Sequence, residues 1–362
     1  MVVMKTPNES SAAPSPPAIT RRGFLHRSGI AATGSALGLS SSLRLSAVAA
    51  AEEAKKKQVA KPESETLVQQ LFASLSPEQM EAVVFPFNDP ERQRVENNWH
   101  ITKQTVGGFF KADQQAMIRG IFGGLHSEEY REKVYRQFAH DNMNQRNKTA
   151  DAAFGSASVA LFGAPGTGQF EFVFTGRHCT RRCDGDSVEG AAFGGPIFYG
   201  HQAGDDFDEA PDHPGNVYWF QAQRANEVFA MLDGKQRRQA LKDKPRPERG
   251  TATVELKGNA EGLDGVGVAD MSADQKGKVK EVLNDLLAPF REVDRKESMK
   301  YIEPQLEQLR IAFYQSHDVG DDKVWDTWQI EGPSMIWHFR GDPHVHTWVN
   351  IRKPAASEAA GA

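Results

Sequence analysis

Near the end of the chain, His344-Val-His346 sets two imidazoles at i and i+2. Along a β-strand, that spacing sends both side chains to one face, where two histidines can share a metal ion. Alternation groups His344, His346, Trp348 and Asn350 on one face, and Val345, Thr347, Val349 and Ile351 on the other. The second set is apolar enough to be the core side. His178, just past Gly176, is the candidate third ligand, with His201 and His338 as reserves. Imidazole-only ligation suits a transition metal ion, namely copper, zinc or iron. Three protein ligands leave one position open for water or substrate. Such a site needs ligand nitrogens about 3–4 Å apart, with each ring's second nitrogen on a carboxylate, carbonyl or water.

Other motifs carry less chemistry. Gly163-Ala-Pro-Gly-Thr-Gly168 opens like a phosphate-binding loop, but Gln169 and Phe170 stand where that mechanism needs Lys and Ser or Thr, so it reads as a hairpin tip. The acidic run Gly204–Gly215 lacks the glycine and glutamate spacing of a calcium loop and reads as solvated. Gly194-Gly-Pro-Ile-Phe-Tyr-Gly200-His201 brackets an aromatic pair with glycines that allow close backbone approach. The only cysteines are Cys179 and Cys183. Four residues of strand span about 13 Å, too far for a disulfide, so a bridge would need a turn, and free thiols are the alternative. Cys179 would be a soft ligand, although on a regular strand it points away from His178.

The elements that must position these residues occur twice, about 155 residues apart. Leu71-Phe-Ala-Ser-Leu75-Ser-Pro-Glu-Gln79 is echoed by Val228-Phe-Ala-Met-Leu232-Asp-Gly-Lys-Gln236, and Ala112-Asp-Gln114 by Ala273-Asp-Gln275. Phe172-Val-Phe-Thr-Gly176 is echoed by Trp328-Gln-Ile-Glu-Gly332, in the same order. Ser76, Asp233 and Ser272 each precede a glutamine by three, the pattern of a capping box, and Lys111 breaks it at the fourth place. Apolar stripes at helical spacing include Val279, Val282, Leu283, Leu286 and Leu287. Hairpins follow at 158–174 and 311–330. The expected class is α+β: an internally duplicated helix-helix-hairpin-strand unit whose two halves, 66–215 and 216–354, pack about a pseudo-twofold axis in one globular domain.

Residues 1–51 resemble a twin-arginine export signal: Arg21-Arg22, a mildly apolar stretch from Ile30 to Leu43, and Ala-x-Ala sites at Ala47–Ala49 and Ala49–Ala51. A solvated linker, 52–65, follows, and 355–362 is a disordered tail. The leader takes five of the 43 basic residues and one of the 48 acidic ones, which leaves a mature charge near −9. That balance argues against nucleic acid as a partner. No apolar run approaches 18 residues, so no integral membrane span is expected. The implied partner is the twin-arginine translocase, and the implied compartment is periplasmic or otherwise exported.

Over nearly the whole mature length the chain resembles the domain-of-unknown-function 3500 family of exported bacterial proteins. The likeness is carried by Leu71-Phe-Ala-Ser-Leu-Ser-Pro-Glu-Gln79, Phe85-Pro86-Phe87, Gly176-Arg-His178, Glu331-Gly-Pro333 and His344-Val-His346-Thr-Trp348. Members often show Gly-His-His where this chain has Gly-Arg-His, so Arg177 replaces one histidine and His178 keeps the other. The resemblance implies fold extent and compartment. The residues themselves imply a redox or hydrolytic metalloenzyme with a histidine site between two homologous halves. The alternative is a non-catalytic periplasmic protein that binds peptide or glycan, with Trp337, Trp348 and Tyr199 as stacking surfaces.

Overall fold

Capping chemistry fixes where the paired helices begin. In the computed structural model, which describes residues 63–144, 146–202, 216–317 and 324–355, helix α1 (Ser64–Ser74) gives way to α2 (Pro77–Val83) at Ser76. The Ser76 hydroxyl accepts from Gln79 N, and Gln79 Oε1 accepts from Ser76 N. After the single turn α3 (Val106–Phe109), helix α4 (Ala112–Gly124) starts behind Lys111. Lys111 lacks the capping hydroxyl, yet Gln114 Oε1 still accepts from Lys111 N at 2.9 Å, so half of the box survives where the sequence indicates a break. The Gln79 and Gln114 amides then bond each other reciprocally at 2.9 Å, which satisfies both polar ends in the interior.

Beyond α5 (Glu128–Asn142) and α6 (Ala150–Phe154), the same device recurs. Helix α7 (Phe220–Met231) leads into α8 (Gly234–Ala240), boxed by Asp233 and Gln236, while α9 (Ala273–Leu286) is boxed by Ser272 and Gln275. The Gln236 and Gln275 amides pair at 3.1 and 2.8 Å. Helix α10 (Glu292–Ile302) completes this set. Helix α1 starts at Ser64, two residues before the boundary expected from the sequence. The segment expected to be a twin-arginine leader, the expected linker up to residue 62, the acidic run Gly204–Gly215 and the residues beyond Ala355 lie outside the described residues.

The strands are β1 (Val84–Phe85), β2 (Ser158–Gly163), β3 (Phe170–Gly176), β4 (Cys179–Cys183), β5 (Ile197–His201), β6 (Leu241–Lys242), β7 (Val266–Gly267), β8 (Arg310–Tyr314), β9 (Thr327–Gly332), β10 (Met335–Arg340) and β11 (Val345–Ile351). They form one mixed sheet in the order β1-β2-β3-β4-β5-β11-β10-β9-β8-β6, with β7 also on β8, so the class is α+β. The order reads alike from either edge: a short parallel strand, three antiparallel strands, then the central pair β5 and β11. Gly163-Ala-Pro-Gly-Thr-Gly168 forms the β2–β3 connection, as expected for a hairpin tip. Gly163 has φ +81°, and a Cβ there would meet Gln169 O, so this position requires glycine.

One sheet face packs on the helices in the main core, which holds Val345, Val349 and Ile351 of β11. The other face is covered too. Trp348 sits with Val95, Phe198, Val254 and Ile336, and Ala160, Phe162 and Val173 form a further cluster. Cys179 and Cys183, at opposite ends of β4, are buried free thiols, and burial pushes Cys179 up to about 11. That places it far from thiolate reactivity. Among the described residues no helix is long and apolar enough to cross a membrane.

Asp184, just past β4, yields a pH prediction. Burial pushes its carboxyl up to about 7, against a backbone hydrogen bond from Val188 that acts the other way. An acid whose folded pKa is raised favours the fold below its unfolded value of about 3.9 and loses that contribution as pH climbs towards 7. Asp184→Asn, which keeps the acceptor, is therefore expected to stabilise the protein by about 1–3 kcal/mol at pH 8 and to change little at pH 4. Urea midpoints of both proteins at the two pH values check this, and a gain equal at both would contradict it.

Candidate metal centre

His178 is delivered by the turn that joins β3 to β4. It holds φ +53°, an uncommon region for a non-glycine residue, and its backbone is tied on both sides. Its N–H donates to Asn97 O at 2.8 Å, and its carbonyl accepts from Gly200 N at 3.2 Å. His346 lies in β11 opposite Gly200 of β5, so the ladder that joins the two central strands brings His178 and His346 together. His344 lies in the bend just before β11 and not in the expected strand, but its ring still turns towards His346.

The three rings form one buried group. One nitrogen of each lies within 4.8 Å of the others, and His344 Nε2 and His346 Nε2 are 3.0 Å apart. The centroid separations are 5.1 Å for His178 to His344, 5.0 Å for His178 to His346 and 4.7 Å for His344 to His346. Two nitrogens bound to a tetrahedral zinc-like ion keep about 3.3 Å between them, which the His344–His346 pair matches, with the His178 nitrogen within 4.8 Å of both.

Two carboxylates that the sequence did not reveal orient the rings. Asp141, in the last turn of α5, has Oδ2 at 3.2 Å from His178 Nδ1 and Oδ1 at 2.7 Å from His201 Nδ1. A buried carboxylate at a helix C-terminus is doubly disfavoured. Burial pushes its pKa up, but the hydrogen bonds from His178 and His201 outweigh this and hold it below the usual value. Glu248, just after Pro245 and Pro247 and two residues before Gly250, has Oε2 at 2.6 Å from His346 Nδ1. With Nδ1 of His178 and His346 donating to carboxylates, each Nε2 keeps its lone pair. Burial, then the neighbouring His346 and His178, pushes His344 down to about 2. His346 is also held well below its ordinary value, by burial first and then by Arg340. Both imidazoles are therefore disposed to stay neutral, the form in which a histidine can ligate a metal.

The reserves take other places. His201 is fully buried on Asp141's second oxygen, and His338, whose pKa burial lowers to about 4, has Nε2 3.9 Å from Glu248 Oε1. Both abut the carboxylates that hold the triad. Trp337, Trp348 and Tyr199 are at most 1% exposed, so they present no stacking surface, contrary to the groove alternative. Alternation in the sequence assigns them to faces but does not show that both faces are covered.

Residues 57–356 match the model of a family described as "Protein of unknown function (DUF3500)". No curated protein and no solved structure matches the chain.

Proposed function

This chain belongs to the DUF3500 family, described as of unknown function, and from the geometry of its buried histidines we propose that it is a metalloprotein holding one transition-metal ion on His178, His344 and His346. The observation that carries this reading is the convergence of three imidazoles, two of them held by carboxylates at Nδ1. A ligating histidine whose other nitrogen meets a carboxylate is fixed in tautomer and orientation, and is more basic towards metal. His178, His344 and His346 bind the ion. Asp141 and Glu248 position the rings, and the buried surround limits water. An ion of the copper, zinc or iron class would supply Lewis acidity or electron transfer at its open position. Elemental analysis of protein purified without a histidine tag is expected to find close to one such ion per chain. Background content of all three metals would overturn the reading.

The organisation around the site supports descent from two copies of one unit. The strand order, the two glutamine pairs and the sequence echoes all follow the same sequence of elements. Gly176 corresponds to Gly332, which sets His178 against Ser334, so that histidine would have arisen in one copy of a repeated frame. The site draws His178 from the first half and His344 and His346 from the second.

We also read the protein as exported, from Arg21-Arg22 and the Ala-x-Ala sites. A folded-protein export route fits a metal loaded before translocation. Changing Arg21 and Arg22 together to lysine is expected to leave the precursor inside the cell. Normal processing of that variant would count against this assignment.

A further inference from the structure

Two arginines flank the three imidazoles, one from a strand and one from a turn. Arg340 on β10 is the ladder partner of His346, so the two side chains leave the same sheet face about 5 Å apart at Cβ. Its Nε lies 3.3 Å from Glu248 Oε1, and its Nη2 is buried with no hydrogen-bond partner among the described residues. Arg177 precedes His178 in the β3–β4 turn. It donates to the Asp141 carbonyl at 3.3 Å and to Gln202 Oε1 at 2.8 Å, both neutral acceptors, and no carboxylate is paired with it among the described residues. The opposing charges are Asp141 on His178, Glu248 on His346, and Asp342, which acts on Arg340. Among the described residues, and counting the imidazoles as neutral because a histidine that ligates a metal is neutral, two positive groups stand against three negative ones. A divalent ion reverses that balance to a net charge of about +1, in a setting where salt screens poorly.

Resting on the metal reading above, we propose that the loaded centre takes a monoanionic carboxylate ligand in the coordination position the three imidazoles leave open, drawn in by Arg340 and Arg177. A site of net charge +1 is neutralised by one carboxylate. A phosphate dianion would reverse the charge and press against Asp141 and Glu248, while a neutral carbonyl compound would gain little from either arginine. Arg340 is also the uncommitted donor of the pair, through Nη2, which adds a directional contact to the field.

The test uses the full chain loaded with cobalt(II), whose visible spectrum reports what enters its coordination sphere. Acetate, inorganic phosphate and acetamide are titrated separately at pH 7 and at two salt concentrations. Acetate is expected to shift the spectrum saturably, and to bind about tenfold more tightly than phosphate or acetamide. At equal cobalt loading, Arg340→Gln is expected to weaken acetate about tenfold, and Arg340→Lys to restore most of that loss. No acetate response, equal binding of acetamide, tighter binding of phosphate, or indifference to Arg340→Gln would each overturn the inference while leaving the metal site standing. Failure to take up cobalt at all would instead remove the metal reading, and this inference with it.

Discussion

Alanine in place of His346 is expected to bring the metal content of the purified protein to background. Loss of an outer carboxylate that orients a ligand typically costs about 10–100-fold in metal affinity, and loss of the ligand itself costs more. His346 would contribute both, because its ring links Glu248 to the proposed ion's place: Nδ1 is 2.6 Å from the carboxylate and Nε2 is 3.0 Å from His344 Nε2. His344→Ala should empty the centre as well. Glu248→Gln and Asp141→Asn should weaken binding by about 10–100-fold while leaving a measurable site. Competition against a chelator of known affinity ranks all four variants. Equal metal content in wild type, His344→Ala and His346→Ala would remove the centre from consideration.

The largest loss of stability is expected from Glu171→Ala, on the sheet face away from the main helices. Arg92 Nη1 lies 2.6 Å from Glu171 Oε2, and Arg182 Nη1 lies 2.6 Å from Oε1. The side chains of Glu171 and Arg182 have no exposure at all. Arg182 is further fastened to Pro196 O at 2.6 Å and Arg94 O at 2.8 Å, so it cannot swing out to water when its partner is removed. Breaking a buried pair from one side strands a charge in the interior and typically costs about 3–5 kcal/mol. Chemical denaturation should show a drop of that size. A loss under about 1 kcal/mol would mean that the arginines find other partners or solvent.

What could be read from the chain alone was what depends on near neighbours. Ser76, Asp233 and Ser272 cap helices with a glutamine three residues on, and three-residue chemistry is visible in any sequence. His344 and His346 are two apart, and His178 was reached through its place beside a repeated glycine. Asp141 and Glu248 carried no such mark. Asp141 reaches His178 across 37 residues, and Glu248 reaches His346 across 98, in a stretch whose prolines suggest only extended chain. The aromatic residues misled for a related reason. Trp348 lies on the face expected for it, but Val95 and Val254 come from remote segments to cover it, and no local pattern announces them.

The sheet's two ends also bear on how the protein behaves at high concentration. A long sheet with bare outer strands offers its free N–H and C=O groups as a template for other chains, and aggregation begins there. Neither outer strand of length is bare here. β2 is flanked by two-residue β1 and by the bridge from Thr105 to Ser158, and β8 by two-residue β6 and by β7. Each cover is too short to recruit a neighbour of its own, and it occupies the groups a neighbour would use. Eleven strands can therefore be joined without inviting a twelfth from another molecule.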